Sequence, residues 1–245
     1  MNSTVDKTEV NYFDKPNQDW WDESGSFSAL HRLTPCRVEY IVQVIKRNIL
    51  NKQINSSTRI CNNLNILDVG CGGGLLCEPL SRLGGNVTGI DVSENAIITA
   101  KQHASKMGLR INYICTSVEE LNMKKDFDLI IASEVIEHVL DRNYFLKMIR
   151  KISSNKTSFI FTTINKSIPS LIFGKFAAEY LLNLIPKGTH DWEKFVTPQK
   201  LYLEAMENGI YLNNFSGLTP NIFNKEFNLT SYLGINYAAS GIVKV

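Results

Sequence analysis

The 245-residue chain has no C-x-x-C pair, no long run of Lys or Arg, and no unbroken apolar stretch able to span a bilayer. Its five cysteines (Cys36, Cys61, Cys71, Cys77 and Cys115) are odd in number and show no disulfide-like spacing. They are expected to be free thiols in a reducing compartment. The net charge is only +2, and no basic stripe marks a nucleic-acid partner. Residues 1–19 lack both the apolar core of a secretory signal and the Arg-rich pattern of a transit peptide. They are expected to form a flexible N-terminus on a cytoplasmic protein. A dinucleotide fingerprint, G-x-G-x-x-G, is missing too: Gly70 and Gly72 supply two glycines, but Leu75 stands at the third position.

What is present centres on Leu64-Asn65-Ile66-Leu67-Asp68-Val69-Gly70-Cys71-Gly72-Gly73-Gly74. An apolar run enters an aspartate, then a glycine loop, then an amphipathic segment from Leu75. This reads as a buried strand, a tight turn and a helix start, with backbone N–H groups open to a ligand. The glycines are expected because a Cβ would clash with that ligand or forbid the turn. Asn86 to Asp91 reads as a second strand ending in an acid, about twenty residues past the loop, a spacing that suits a carboxylate bonding ribose hydroxyls. The loop D-V-G-C-G-G-G resembles the first motif of class I S-adenosylmethionine-dependent methyltransferases. The resemblance implies that Asp68 faces the amino-acid end of the cofactor and that Gly70 lies beneath its ribose and methionine, with Gly72 in the same cradle.

Strands are expected at 64–69, 86–91, 111–115, 127–133 and 157–163, and helices at about 75–83, 93–107 and 142–153. The alternation implies an α/β fold with a doubly wound, mostly parallel sheet. Segments 211–218 and 237–243 read as two closing strands, an antiparallel edge. Thr34-Pro35 reads as a helix start, cap then first turn, which places Arg37 in that turn. Thr197-Pro198 reads as the cap of a last helix ending at Asn208-Gly209. At 44% hydrophobic and 20% charged residues, the composition is ordinary for one globular domain. That domain is expected over 20–245.

Ligands of such sheets bind beyond the carboxyl ends of the strands. There stand Asp68, Asp91, Ser117-Val118 (a candidate adenine edge) and Ser133. Glu134, Glu137 and His138 follow; on a helix, i, i+3 and i+4 share one face and could hold a divalent cation. They could equally hold the loop. Residues 168–186 are apolar but broken by Lys175 and Glu179. Phe173, Phe176, Ala177, Tyr180, Leu181 and Leu184 recur at helical spacing, which fits either a core helix or an interfacial one. His190, beside Asp191 and Trp192, is a candidate general base or a backbone-bonded loop histidine.

Four separated stretches are similar to one family: W-W-D-E-S-G-S-F-S-A-L-H-R-L-T-P-C-R from Trp20, the glycine loop, E-V-I-E-H-V from Glu134, and P-K-G-T-H-D-W-E-K-F from Pro186. Together they resemble the O-methyltransferases of ubiquinone biosynthesis, from about Phe13 to near the C-terminus. The resemblance implies a Rossmann-like, seven-stranded sheet with an N-terminal helical extension and a helical insertion at about 165–196. It implies S-adenosyl-L-methionine as cofactor and a polyprenylated catechol as substrate. Arg37, Gly70, Asp91 and Ser133 match cofactor contacts, although relatives often carry methionine at the Ser133 position. Glu134, Glu137 and His138 match positions assigned to magnesium. The 168–186 segment matches an insertion associated with membrane lipid, so a peripheral place on the cytoplasmic face of the inner membrane follows, along with a possible ubiquinone-biosynthesis complex. The proton acceptor would be His190 or Glu137. The alternatives are a methyltransferase for another small molecule or for tRNA, and a non-catalytic cofactor-binding subunit.

Overall fold

The computed structural model describes residues 3–6, 10, 14, 19–50, 59–123, 126–171, 194–221 and 223–243. The elements run α1 (Ser28–Val44), β1 (Asn65–Val69), α2 (Cys77–Arg82), β2 (Asn86–Asp91), α3 (Glu94–Lys106) and β3 (Asn112–Cys115). They continue with β4 (Leu129–Ser133), α4 (Arg142–Lys151), β5 (Ser158–Ile164), α5 (Pro198–Glu207), β6 (Ile210–Pro220), β7 (Phe227–Thr230) and β8 (Asn236–Val243). One sheet holds all the strands in the order β3-β2-β1-β4-β5-β8-β6-β7. The first five are parallel, and β8, β6 and β7 pair antiparallel. Among the described residues the sheet therefore has eight strands rather than seven. The additional strand is Phe227–Thr230, which pairs along the outer part of a long, bulged β6.

Period-two alternation divides the core into two layers. Ile66, Ile131, Ile160 and Ala238 face α1, α2 and α3, where they meet Tyr40, Ile41, Val44, Leu80, Ile97 and Ala100. Their chain neighbours Leu67, Ile130, Phe159, Phe161, Tyr237 and Ala239 face α4 and α5, against Phe145, Leu146, Ile149, Leu201 and Ala205. Each side chain of this kind contributes about 1.5–3 kcal/mol when fully buried. Strand direction from β1 leads outward to β2 on one side and to β4 on the other, so the switch point lies between the ends of β1 and β4.

The N-terminal helix differs from its expected form. It begins at Ser28, and Pro35 lies inside it. Proline has no N–H to donate to the carbonyl four residues back, so one bond of the ladder is absent. The helix persists because Leu33, Cys36, Arg37 and Tyr40 are buried against the sheet. The Thr34 hydroxyl, read as a cap, instead donates to Leu30 O at 2.7 Å within the helix. Arg37 is therefore a mid-helix residue. The last helix is capped as expected, and α3 is capped in the same way. Ser93 Oγ accepts from Ala96 N, Thr197 Oγ1 accepts from Lys200 N, and Gly209 follows α5 at φ +76°.

Three described residues near the N-terminus touch the domain. Thr4 N donates to Glu119 Oε1 at 2.6 Å, and Thr4 O accepts from Leu140 N at 3.0 Å. Lys194 Nζ lies 3.4 Å from Asp6 Oδ2. Asp14 Oδ1 accepts from Ser93 Oγ and Asn95 N at the start of α3. All five cysteines are free thiols. The expected insertion begins as helix at residues 168–171; the rest of 168–186 and His190 lie outside the described residues. Among the described residues no helix is long and apolar enough to cross a membrane.

Candidate active site

Asp68, next to last in β1, has 2% of its surface exposed, and Gly70 follows the strand in the left-handed region at φ +72°. Gly70 N and Cys71 N both donate to Ile90 O, which locks the loop to the end of β2. Protein side chains pack closely on the loop's glycines. A Cβ on Gly70 would lie 2.4 Å from Val135, one on Gly72 2.5 Å from Trp20, and one on Gly74 2.3 Å from the Tyr113 hydroxyl. Two reasons were expected for these glycines, close approach by a ligand and a turn that a Cβ forbids; the turn is found, with Gly70, Gly72 and Gly74 at φ +72°, +52° and +88°, and side chains pack on the loop besides.

Asp91 ties the two lips of the cleft together. Its Oδ2 accepts from Gly72 N and its Oδ1 from Ser93 N, both at 2.8 Å. With the Val92 N–H, three donors act on the four lone-pair sites of the carboxylate, which leaves it able to accept from a hydroxyl. Burial raises the Asp91 carboxyl above its ordinary value, against the pull of the Ser93 and Gly72 N–H groups. Burial likewise pushes Asp68 up to about 6, while the Cys77 thiol, 3.2 Å from Asp68 Oδ2, and the Arg37 charge draw it back.

Arg37 is 4% exposed and reaches the site from mid-helix. Its Nη2 donates to Thr34 Oγ1 at 2.6 Å, and its Nη1 donates to Ser133 Oγ at 2.8 Å. Ser133 Oγ lies 2.7 Å from Thr162 Oγ1, and the Thr162 hydroxyl donates to Glu134 Oε1 at 2.7 Å. Thr162 has one proton and gives it to the carboxylate, so Ser133 must donate to Thr162. The chain runs in one sense from guanidinium to carboxylate. Burial lowers the Arg37 pKa, opposed by the Glu134 and Asp68 charges, and a guanidinium in such a setting stays protonated. Its Nε is buried without a hydrogen-bond partner among the described residues. An unmet buried N–H costs about 1–3 kcal/mol, so a carboxylate-bearing ligand would be stabilised there.

The segment after β4 is a turn, not a helix. Glu134 has φ +56°, a left-handed value that costs a non-glycine residue about 1–3 kcal/mol. It is held there by its own N–H, which donates to Thr162 O, and by the Thr162 hydroxyl. Burial raises the Glu134 carboxyl, against the pull of Arg37 and Thr162. Glu137, 3% exposed, accepts from Thr163 Oγ1 at 2.8 Å. Thr162 and Thr163 are successive residues of a strand, so they project to opposite faces of the sheet and draw the two carboxylates apart. The shared face expected for Glu134, Glu137 and His138 does not form. His138 closes the turn through its N–H to Val135 O. Among the described residues no group of three His, Cys, Asp or Glu side chains is placed to hold a metal ion.

Ser117 is half-buried beyond β3, while Val118 is 4% exposed within the core. The structure thus gathers Arg37, Asp68, Gly70, Gly72, Asp91 and Ser133 around the switch point. It adds Thr34, Cys77 and Thr162, none of which was expected at the site. The signal for Thr162 was there: two threonines end the otherwise apolar run Phe159-Ile160-Phe161.

The chain matches the model of a methyltransferase domain over residues 67–161. It is 41% identical to the ubiquinone biosynthesis O-methyltransferase of Pelagibacter ubique over 97% of both chains. It is 39% identical to that of Bradyrhizobium diazoefficiens, over 98% of this chain and 95% of the relative. The chain belongs to the ubiquinone biosynthesis O-methyltransferases. Its fold is also that of solved methyltransferases. Magnesium protoporphyrin IX methyltransferase from Synechocystis PCC 6803, crystallised with bound SAM, superposes with a TM-score of 0.63 over 99% of this chain and all of the other, at 15% identity.

Proposed function

We propose that the protein uses S-adenosylmethionine to methylate a catechol hydroxyl on a polyprenylated intermediate of ubiquinone synthesis. The observation that carries the reading is the paired charge at the switch point. The buried Asp68 carboxylate and the Arg37 guanidinium with its unpartnered Nε fit the ammonium and carboxylate of one amino-acid moiety. Asp91 fits ribose hydroxyls through its remaining acceptor capacity, Ser117 and the Val118 backbone fit the adenine edge, and Gly70 and Gly72 line the floor. Relatives named for the same reaction, at 36–41% identity, support the substrate class.

S-adenosylmethionine supplies an electrophilic sulfonium methyl. The chain's own residues orient the acceptor oxygen, exclude water and accept the phenolic proton, whose pKa is about 10 in free solution. Glu137 is 3% exposed and already engaged by Thr163, which favours an anchoring role for it. His190 is the proton acceptor in this reading. The Glu134, Glu137 and His138 set does not fit one magnesium ion, because its carboxylates are bonded to opposite faces of β5. We assign it to holding the turn.

The chain's only extended apolar segment, 168–186, meets the lipid phase in which a prenyl tail partitions. The described start of it supports this, with Ile168 at 70% and Leu171 at 36% exposure. The test is transfer of labelled methyl to a short-tailed prenyl catechol, before and after EDTA and with magnesium restored. Turnover unchanged by EDTA is expected. Activity lost with EDTA and recovered with magnesium would return the trio to a metal site, and an absence of turnover in every condition, despite cofactor binding, would end the catechol reading.

A further inference from the structure

Trp20 and Trp21 are packed onto the cleft, although nothing in the transfer chemistry calls for them. Trp20, 8% exposed, lies flat on Gly72 and Gly73; a Cβ on either glycine would come within 2.6 Å of its indole. It stacks on Phe27 with 3.8 Å between centroids and clusters with Leu75 and Ala96. Leu75 follows the glycine loop and Ala96 lies in the first turn of α3, so the cluster built on this indole joins both lips. Its carbonyl is bonded by His31 Nε2 at 2.8 Å.

Trp21 is fixed independently. Its Nε1 donates to Gly73 O at 3.1 Å, and its ring stacks on His103 at 3.5 Å and 10°. His103 Nδ1 is 2.6 Å from Glu78 Oε1, a carboxylate 2% exposed at the start of α2. Glu78 belongs to the helix after the glycine loop and His103 to the helix after Asp91. The Trp21–His103–Glu78 stack therefore crosses the same two lips one layer out. Asp14 closes the series by bonding Ser93 and Asn95 at the start of α3.

We propose that Trp20 and Trp21 form a clasp that retains the cofactor: Trp20 closes the outer wall between the glycine loop and α3, and Trp21, latched on His103, holds it shut. The clasp rests on the cofactor reading above. These are positioning residues, so their loss loosens the cofactor without changing the chemistry of transfer.

The test measures S-adenosylhomocysteine affinity by calorimetry and its release by stopped flow, alongside the KM for S-adenosylmethionine and kcat at saturation. Trp21→Ala removes a hydrogen bond and an aromatic stack, so its Kd, off-rate and KM are expected to rise about tenfold or more with kcat within about twofold. Trp21→Phe keeps the stack and is expected to recover most of the affinity. His103→Ala is expected to weaken binding like Trp21→Ala, and His103→Phe to restore it. If an alanine variant does not fold, Trp21→Phe carries the test: it lacks the bond to Gly73 O, so its Kd and off-rate are expected to rise about threefold, and values equal to wild type would overturn the clasp. Unchanged Kd and off-rate in the alanine variants, tighter binding in Trp21→Ala, or a loss confined to kcat would overturn the clasp while leaving the cofactor reading intact. Failure of the wild-type protein to bind S-adenosylhomocysteine would overturn both.

Discussion

Replacing Arg37 with methionine is expected to abolish detectable methyl transfer and to lower the free energy of unfolding by about 3–5 kcal/mol, the usual cost of leaving a buried charge unpaired. The guanidinium is the only cation acting on both Asp68 and Glu134 among the charges that shift them. Without it, Glu134 keeps its left-handed backbone and its Thr162 bond, but the hydroxyl chain through Ser133 has no donor at its head. Ser133 Oγ would then be a buried acceptor with no partner from α1. Arg37→Lys keeps the charge but not the fork that reaches Thr34 and Ser133 together, so it is expected to fall between wild type and methionine. Urea unfolding with turnover on the same preparations checks both halves. A methionine variant of unchanged stability would mean that the buried charges are satisfied elsewhere.

Asp68→Asn is expected to weaken S-adenosylhomocysteine binding about 10- to 100-fold near neutral pH, the range for one hydrogen bond to a charged group. It is also expected to remove a pH dependence. In the folded protein the Asp68 carboxyl stands at about 6 against an ordinary 3.8, raised by burial. Between those values the unfolded chain is ionised while the folded chain holds the proton, so this group favours folding most at low pH and less as pH rises through about 6. Binding of an ammonium has the opposite sign, because it needs the carboxylate. Affinity should therefore rise about tenfold per pH unit up to about pH 6 and then level off. The amide of the asparagine variant has no proton to lose in this range, so the Asp68 break should vanish from the titration. Calorimetry from pH 5 to pH 8 reads both effects. An unchanged break in the asparagine variant would move its origin to Asp91, whose carboxyl is also raised by burial.

Much of the architecture was written locally. The glycine loop, the Asp91 strand and the strand–helix alternation each depend on a few neighbouring residues whose pattern has one reading. The errors came where distant contacts overrule local pattern. Thr34-Pro35 looks like a helix start, but burial of Leu33 and Cys36 carries the helix through the proline. Glu134, Glu137 and His138 have helical spacing, but Thr162 and Thr163 hold the segment in a turn. Strand Phe227–Thr230 is four residues with little alternation and forms only because β6 extends far enough to pair with it. Arg37 is placed by the hydroxyls of Thr34 and Ser133, the latter 96 residues away, and no window of sequence could show that pairing. Trp20 and Trp21 were visible as an unusual pair, while their resting place on Gly72, Gly73 and His103 was not.

The most direct test of the central claim is mass spectrometry of the product made from methyl-labelled S-adenosylmethionine, with a short-tailed prenyl catechol and bulk tRNA offered together. The account expects one labelled methyl on a catechol oxygen, one equivalent of S-adenosylhomocysteine per methyl, and no label in RNA. Label in RNA, or bound cofactor with an unmodified catechol, would contradict it.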